Sequence, residues 1–225
     1  MSDRGPARSN SAPTNVTLLV ICQALGNTLT AVMLATTALA GYYLAADKSL
    51  ATVPHATQWV ATMLMAIPAA MLMRHLGRKA AFMFGCLFGI VASLICAYAL
   101  FIKTFWMFVF GTFLIGGFNA FVQHFRFAAA EAADLEWRSR AISFVIGGGL
   151  IAAFAGPELA KLTKDLVVDR EFTGTYLWMA AIPIALAVVI AMVDFPAMAE
   201  EKKPGSGRPM KVIARQPAYL IAILS

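Results

Sequence analysis

Six long apolar runs, separated by short polar segments, constrain this chain more than any other feature of its sequence. A hydrocarbon core about 30 Å thick is crossed by a helix of about 20 residues, and each run is of roughly that length. The runs are apolar nearly all round, whereas a helix on the surface of a soluble domain keeps one polar face. With 60% of its 225 residues hydrophobic and 13% charged, the chain reads as an all-α transmembrane protein, multi-pass in the cell membrane. The lipid bilayer is then its first partner. The spans are expected over residues 16–44, 54–73, 80–102, 105–127, 141–160 and 172–193, with Pro68 as a kink in the second and Pro183 inside the sixth.

The charges lie at the ends of these runs. Residues 1–15 are polar, rich in Ser, Pro and Arg, and lack the apolar region of a secretory signal, so they read as a cytoplasmic tail. Placing that tail inside puts twelve Lys and Arg in cytoplasmic segments against five in external loops, the bias that sets orientation. Residues 195–216 carry Lys202, Lys203, Arg208, Lys211 and Arg215 among prolines and glycines, and read as a flexible cytoplasmic linker. Residues 217–225 begin another apolar helix, too short to cross a bilayer and expected to be the truncated start of a seventh span.

The net charge of +6 does not point to nucleic acid, because the basic residues are spread over span ends instead of forming one patch with aromatics. Cys22, Cys86 and Cys96 fall inside apolar runs and read as packing residues. His55, His75 and His124 fall in three different segments without metal-ligand spacing, so no metal or cofactor is expected and an enzyme lacks convergent catalytic groups.

Polar residues inside the spans are the candidates for function. Gln23, Asn27, Thr30, Thr37 and Gly41 recur at helical spacing in the first span, and Thr112, Gly116, Asn119, Gln123 and Arg126 do so in the fourth. Such a stripe against lipid is costly, so it either makes hydrogen bonds between helices or lines an aqueous pathway. Both readings stand on spacing alone. Gln58 and Thr62 share a face of the second span, while the third has little beyond Ser93 and Tyr98. Arg126 either snorkels to the interface or serves a site, His124 either packs or carries a proton, and Glu131 caps or pairs locally. Gly147 to Gly149 and Gly156 let the fifth span approach a neighbour closely, and Pro157 frees a carbonyl there.

The stretch from Ala69 to Ala80 resembles the loop between the second and third spans of major facilitator superfamily transporters, usually Gly-x-Leu-x-Asp-Arg-x-Gly-Arg-Arg/Lys. Leu72, Gly77, Arg78 and Lys79 match, while Ala70 replaces the first glycine, His75 the first arginine, and Arg74 the aspartate. Glu131, Arg138, Arg140 and the pair Gly156-Pro157 are similar to the family's fourth loop and fifth span, with Ala152 and Ala160 where glycines are usual and Thr112 where an arginine is common.

The resemblance implies a six-helix half of a major facilitator fold, built from two inverted three-helix repeats over residues 16–194, whose C-terminal half is missing. It implies secondary transport of a small solute by alternating access, with the first and fourth spans lining the cavity. The expected solute contacts are Gln23, Asn27, Thr30, Asn119 and Gln123, since uncharged amides and hydroxyls hydrogen-bond without a desolvated charge. His124, Arg126 and Glu131 are expected to gate or couple, and Gly77, Arg78, Lys79, Gly156 and Pro157 to form conformational motifs. The alternative is a non-transporting membrane scaffold on the same fold.

Overall fold

A computed structural model describes residues 12–132, 138–163, 166–167 and 172–193. Residues 1–11 of the expected tail, the linker over 195–216 and the expected start of a seventh span lie outside the described residues. The first span is helix α1 (Ala12–Leu44), beginning four residues before the expected start. Helices α2 (Val53–Leu76) and α3 (Arg78–Phe101) form the second and third spans, and α2 continues through Pro68 without interruption. The fifth span is α6 (Arg138–Thr163), likewise continuous through Pro157.

Two spans depart from expectation. The fourth is not one helix but α4 (Phe105–Val122) followed by α5 (Phe125–Ala132). Between them the Gln123 amide bonds the Asn119 carbonyl at 3.1 Å, and the His124 amide takes the tighter bond to Phe121 at 2.9 Å. The sixth is divided into α7 (Thr173–Met179) and α8 (Ala181–Met192). Pro183 explains that break, because it has no N–H to give and its ring collides with the carbonyl four residues earlier, that of Met179.

Gly77 is all that separates α2 from α3. Its φ of 81° and ψ of 160° belong to a region that essentially only glycine enters, so the turn depends on this residue. At the opposite end, Asp47 caps a short 3-10 turn (Lys48–Leu50) by accepting the Ser49 amide at 2.9 Å. That backbone bond, helped by the Ser49 hydroxyl, holds the exposed Asp47 carboxyl below its ordinary range.

Helix α1 packs along α6, and α4 packs along α2, so the first span pairs with the fifth as the fourth pairs with the second. This exchange is what two inverted three-helix repeats produce. Small residues set both crossings. A Cβ added at Gly156 would run into Ala31 on α1, and one added at Gly116 would run into the Gln58 carbonyl on α2. Phe82 stacks on Phe125 with ring centres 4.4 Å apart, and Phe108 meets Tyr176 edge-on at 5.2 Å, filling the centre of the half.

The outer faces carry exposed Leu34, Leu150, Phe154 and Leu162, the arrangement expected where lipid or another apolar surface replaces water. Six helical segments are long and apolar enough to cross a membrane, among the described residues. Together these make the chain a multi-pass membrane protein.

Candidate functional site

The two polar stripes meet inside the half. Thr30 on α1 donates to the Asn119 carboxamide oxygen on α4 at 3.2 Å, and the Asn119 amide nitrogen lies 3.5 Å from the Thr62 hydroxyl on α2. Thr62 is in turn 3.0 Å from the carbonyls of Gln58 and of Gly116. Asn119 is fully enclosed. In this conformation it is therefore a clasp between three helices.

The remaining first-span positions turn toward different neighbours. Gln23 is buried and donates to Asn27 at 2.9 Å, and Asn27, half-buried, packs where Gly149 of α6 leaves room. Thr37 is enclosed, with its hydroxyl 3.1 Å from that of Tyr176. A shared helical face thus serves α6, α4 and α7 in succession.

An open groove of about 700 Å³ runs beside the clasp between α2 and the α4–α5 junction. One wall is Trp59, Thr62, Met63, Ile67 and Arg74; the other is Ala120, Gln123, His124, Arg126 and Phe127. From Trp59 to Arg74 the α2 wall is about 22 Å long at 1.5 Å per residue. Thr62 belongs to both the clasp and the groove, which places the groove's inner end at the level of Asn119.

Gln123 and His124 are brought into this groove by the break in the fourth span. His124 sets Nδ1 2.8 Å from the Ala120 carbonyl, and because a carbonyl only accepts, Nδ1 carries the proton and Nε2 is left as the second site. The Arg126 guanidinium lies 5.0 Å from the Phe127 ring centre. Glu131 sits on α5, and its side chain lies outside the described residues.

The expected conformational motifs occupy two places. Gly77 makes the α2–α3 turn, Arg78 opens α3 half-buried, and Lys79 reaches across to donate to the Ala191 carbonyl at 2.7 Å and the Val193 carbonyl at 3.3 Å. A cation at the end of α8 satisfies carbonyls that have no helical partner. Gly156 and the half-buried Pro157 lie in the α6 wall that meets α1.

Sequence reasoning singled out Gln123, His124 and Arg126 but missed Trp59 as their neighbour. The only signal was Trp59, Met63 and Ile67 at four-residue spacing on α2, which an apolar lipid-facing row matches equally well.

The family model described as Major Facilitator Superfamily matches residues 16–225. The chain is also 34% identical over 217 residues to the riboflavin transporter RfnT of Brucella anthropi, a match covering 96% of this chain and 54% of that protein. The chain thus spans about half the length of the curated relative it matches. With six spans, the reciprocal pairing of its repeats and a match over nearly its whole length, this chain belongs to the major facilitator superfamily.

Proposed function

We propose that this chain is the first six-helix half of a secondary transporter that moves a small solute by alternating access, and that the solute is a flavin such as riboflavin. The observation that carries the reading is the groove itself. It opens beside the centre of the half and combines flat aromatic surface at Trp59 and Phe127 with hydrogen-bonding groups at Thr62, Gln123 and His124. Planar heteroaromatic solutes ask for that combination, since rings stack on aromatic faces while ring nitrogens and oxygens need partners. The named relative, a riboflavin transporter, supports the solute class.

In this reading Gln123 and His124 contact solute directly. Asn119, Thr30, Gln23 and Asn27 hold α1, α4 and α6 in the arrangement that shapes the groove. Gly77 and Lys79 couple the α2–α3 turn to the end of α8, so that the half rocks as a unit against a second one. The end of the bundle bearing Gly77 to Lys79 faces the cytoplasm, as the excess of Lys and Arg there favours.

Uptake into proteoliposomes tests the proposal. The complete reading frame should give saturable uptake of labelled riboflavin, and the 225-residue chain alone should insert without transporting. Absence of any saturable uptake by the complete protein overturns the reading in favour of a scaffold, and saturable uptake by the 225-residue chain overturns the half-transporter assignment.

A further inference from the structure

Trp59, at one end of the α2 wall, is held by a residue outside the groove. Its indole N–H donates to His55 Nε2 at 3.1 Å, one helical turn earlier on α2, and the two rings stand nearly at right angles with centres 6.2 Å apart. Trp59 lines the groove and His55 does not. An indole nitrogen only donates, so Nε2 presents its lone pair and the imidazole proton sits on Nδ1. That Nδ1 is enclosed, with no hydrogen-bond partner among the described residues. An enclosed N–H without a partner weakens a fold, so packing alone does not account for a histidine at this turn. What His55 contributes is the acceptor at Nε2.

The rest of the α2 wall has no acceptor to take its place. Thr62 is engaged with the Gln58 and Gly116 carbonyls and with the Asn119 amide, and the Arg74 guanidinium only donates. Without His55, the half-exposed indole would turn its N–H toward water, because the polar edge of a tryptophan seeks a partner.

We propose that His55 is a positioning residue for the groove: by taking the Trp59 N–H it fixes the indole in one orientation and leaves its apolar ring as a stacking surface for a planar solute. This role rests on the reading of the groove as a solute site. Trp59 then gives the solute ring contact and no hydrogen bond, and His55 acts on recognition without touching the solute. A ring already held in place gives up little rotamer freedom when solute arrives, which is how preorganisation raises affinity.

Uptake of labelled riboflavin by the complete protein in proteoliposomes, measured as a double-mutant cycle over His55→Leu and Trp59→Leu, tests the role. Trp59→Leu should raise the half-saturating concentration roughly tenfold. His55→Leu should raise it about three- to tenfold, the worth of one hydrogen bond, with the maximal rate unchanged, because a stack that contributes equally throughout the cycle changes binding alone. In the Trp59→Leu background, His55→Leu should add nothing further. His55→Gln, whose carboxamide oxygen can accept the same N–H, should return most of the lost affinity. His55→Leu should melt no lower in detergent than the parent chain.

A packing role predicts the reverse on each count. A lower melting temperature of His55→Leu, an equal rise in half-saturation in both backgrounds, a His55→Leu protein that saturates like the parent, or His55→Gln no better than His55→Leu overturns the positioning role. Absence of saturable uptake by the unsubstituted complete protein overturns the transporter reading and the positioning role with it. Saturable uptake with independent effects of the two substitutions overturns the positioning role alone, so the two fail separately.

Discussion

Thr30 and Asn119 meet at 3.2 Å across the interior of the half, joining the first span to the fourth at the level where the groove begins. The contact separates two roles that one polar stripe holds along α4 and the turn that ends it. Asn119 holds helices together, and Gln123, one turn further on, borders open space.

That separation predicts different outcomes for two similar substitutions. Asn119→Leu should lower thermal stability in detergent, by about 1 kcal/mol, as interhelical hydrogen bonds in membranes are typically worth about 0.6 to 1.7. Gln123→Leu should leave stability unchanged and lower uptake by the complete transporter about tenfold, as expected for one lost hydrogen bond to solute. Equal melting behaviour of the two variants would contradict the assignment of Asn119 to the clasp.

Gln58 makes a prediction of the opposite sign. It is fully buried on α2, and neither its Oε1 nor its Nε2 has a hydrogen-bond partner among the described residues. An unsatisfied buried amide costs about 1–3 kcal/mol, so Gln58→Leu should raise the melting temperature of the chain. A lower melting temperature would mean that an ordered water or another conformation satisfies the amide.

The α2–α4 and α1–α6 crossings depend on the absence of side chains. Gly116→Val and Gly156→Leu should each destabilise the half by at least 1–3 kcal/mol, the usual cost of overpacking, because the obstacles are the Gln58 carbonyl and the Ala31 backbone, which cannot swing aside. Gly147, which has open space around it, is the control, and Gly147→Ala should be tolerated in the same melting assay.

Much of the architecture was legible in the sequence because lipid imposes one simple requirement, a long run without charge. The six spans follow from it, and the glycines of the fifth span announced a close approach without saying to which helix. The interrupted sixth span was readable in principle from Pro183, whose missing N–H acts four residues back at Met179. The break at Gln123–His124 has no glycine or proline to announce it; the tight His124 amide bond and the imidazole on the Ala120 carbonyl hold it. The site was half legible. Helical spacing showed that Asn27, Thr30 and Thr37 share a face, but not that this face meets α6, α4 and α7 in turn. Trp59 stayed hidden because a groove wall and a lipid-facing row obey the same periodicity.

Orientation is open to a direct assay. A single cysteine at position 78 should resist an impermeant thiol reagent applied from outside intact cells and react after permeabilisation, as the concentration of Lys and Arg at that end favours. Labelling from outside would reverse the proposed topology.

In the proposed function, solute occupies the groove while the clasp stays closed to it. Substrate protection measures this most directly, since Cys22, Cys86 and Cys96 are buried and provide a quiet background. In the complete transporter, Gln123→Cys should react with a water-soluble thiol reagent and riboflavin should slow that reaction, while Asn119→Cys should react little with or without solute. Labelling of Asn119→Cys as fast as Gln123→Cys, or indifference of Gln123→Cys to riboflavin, would contradict that placement of the solute.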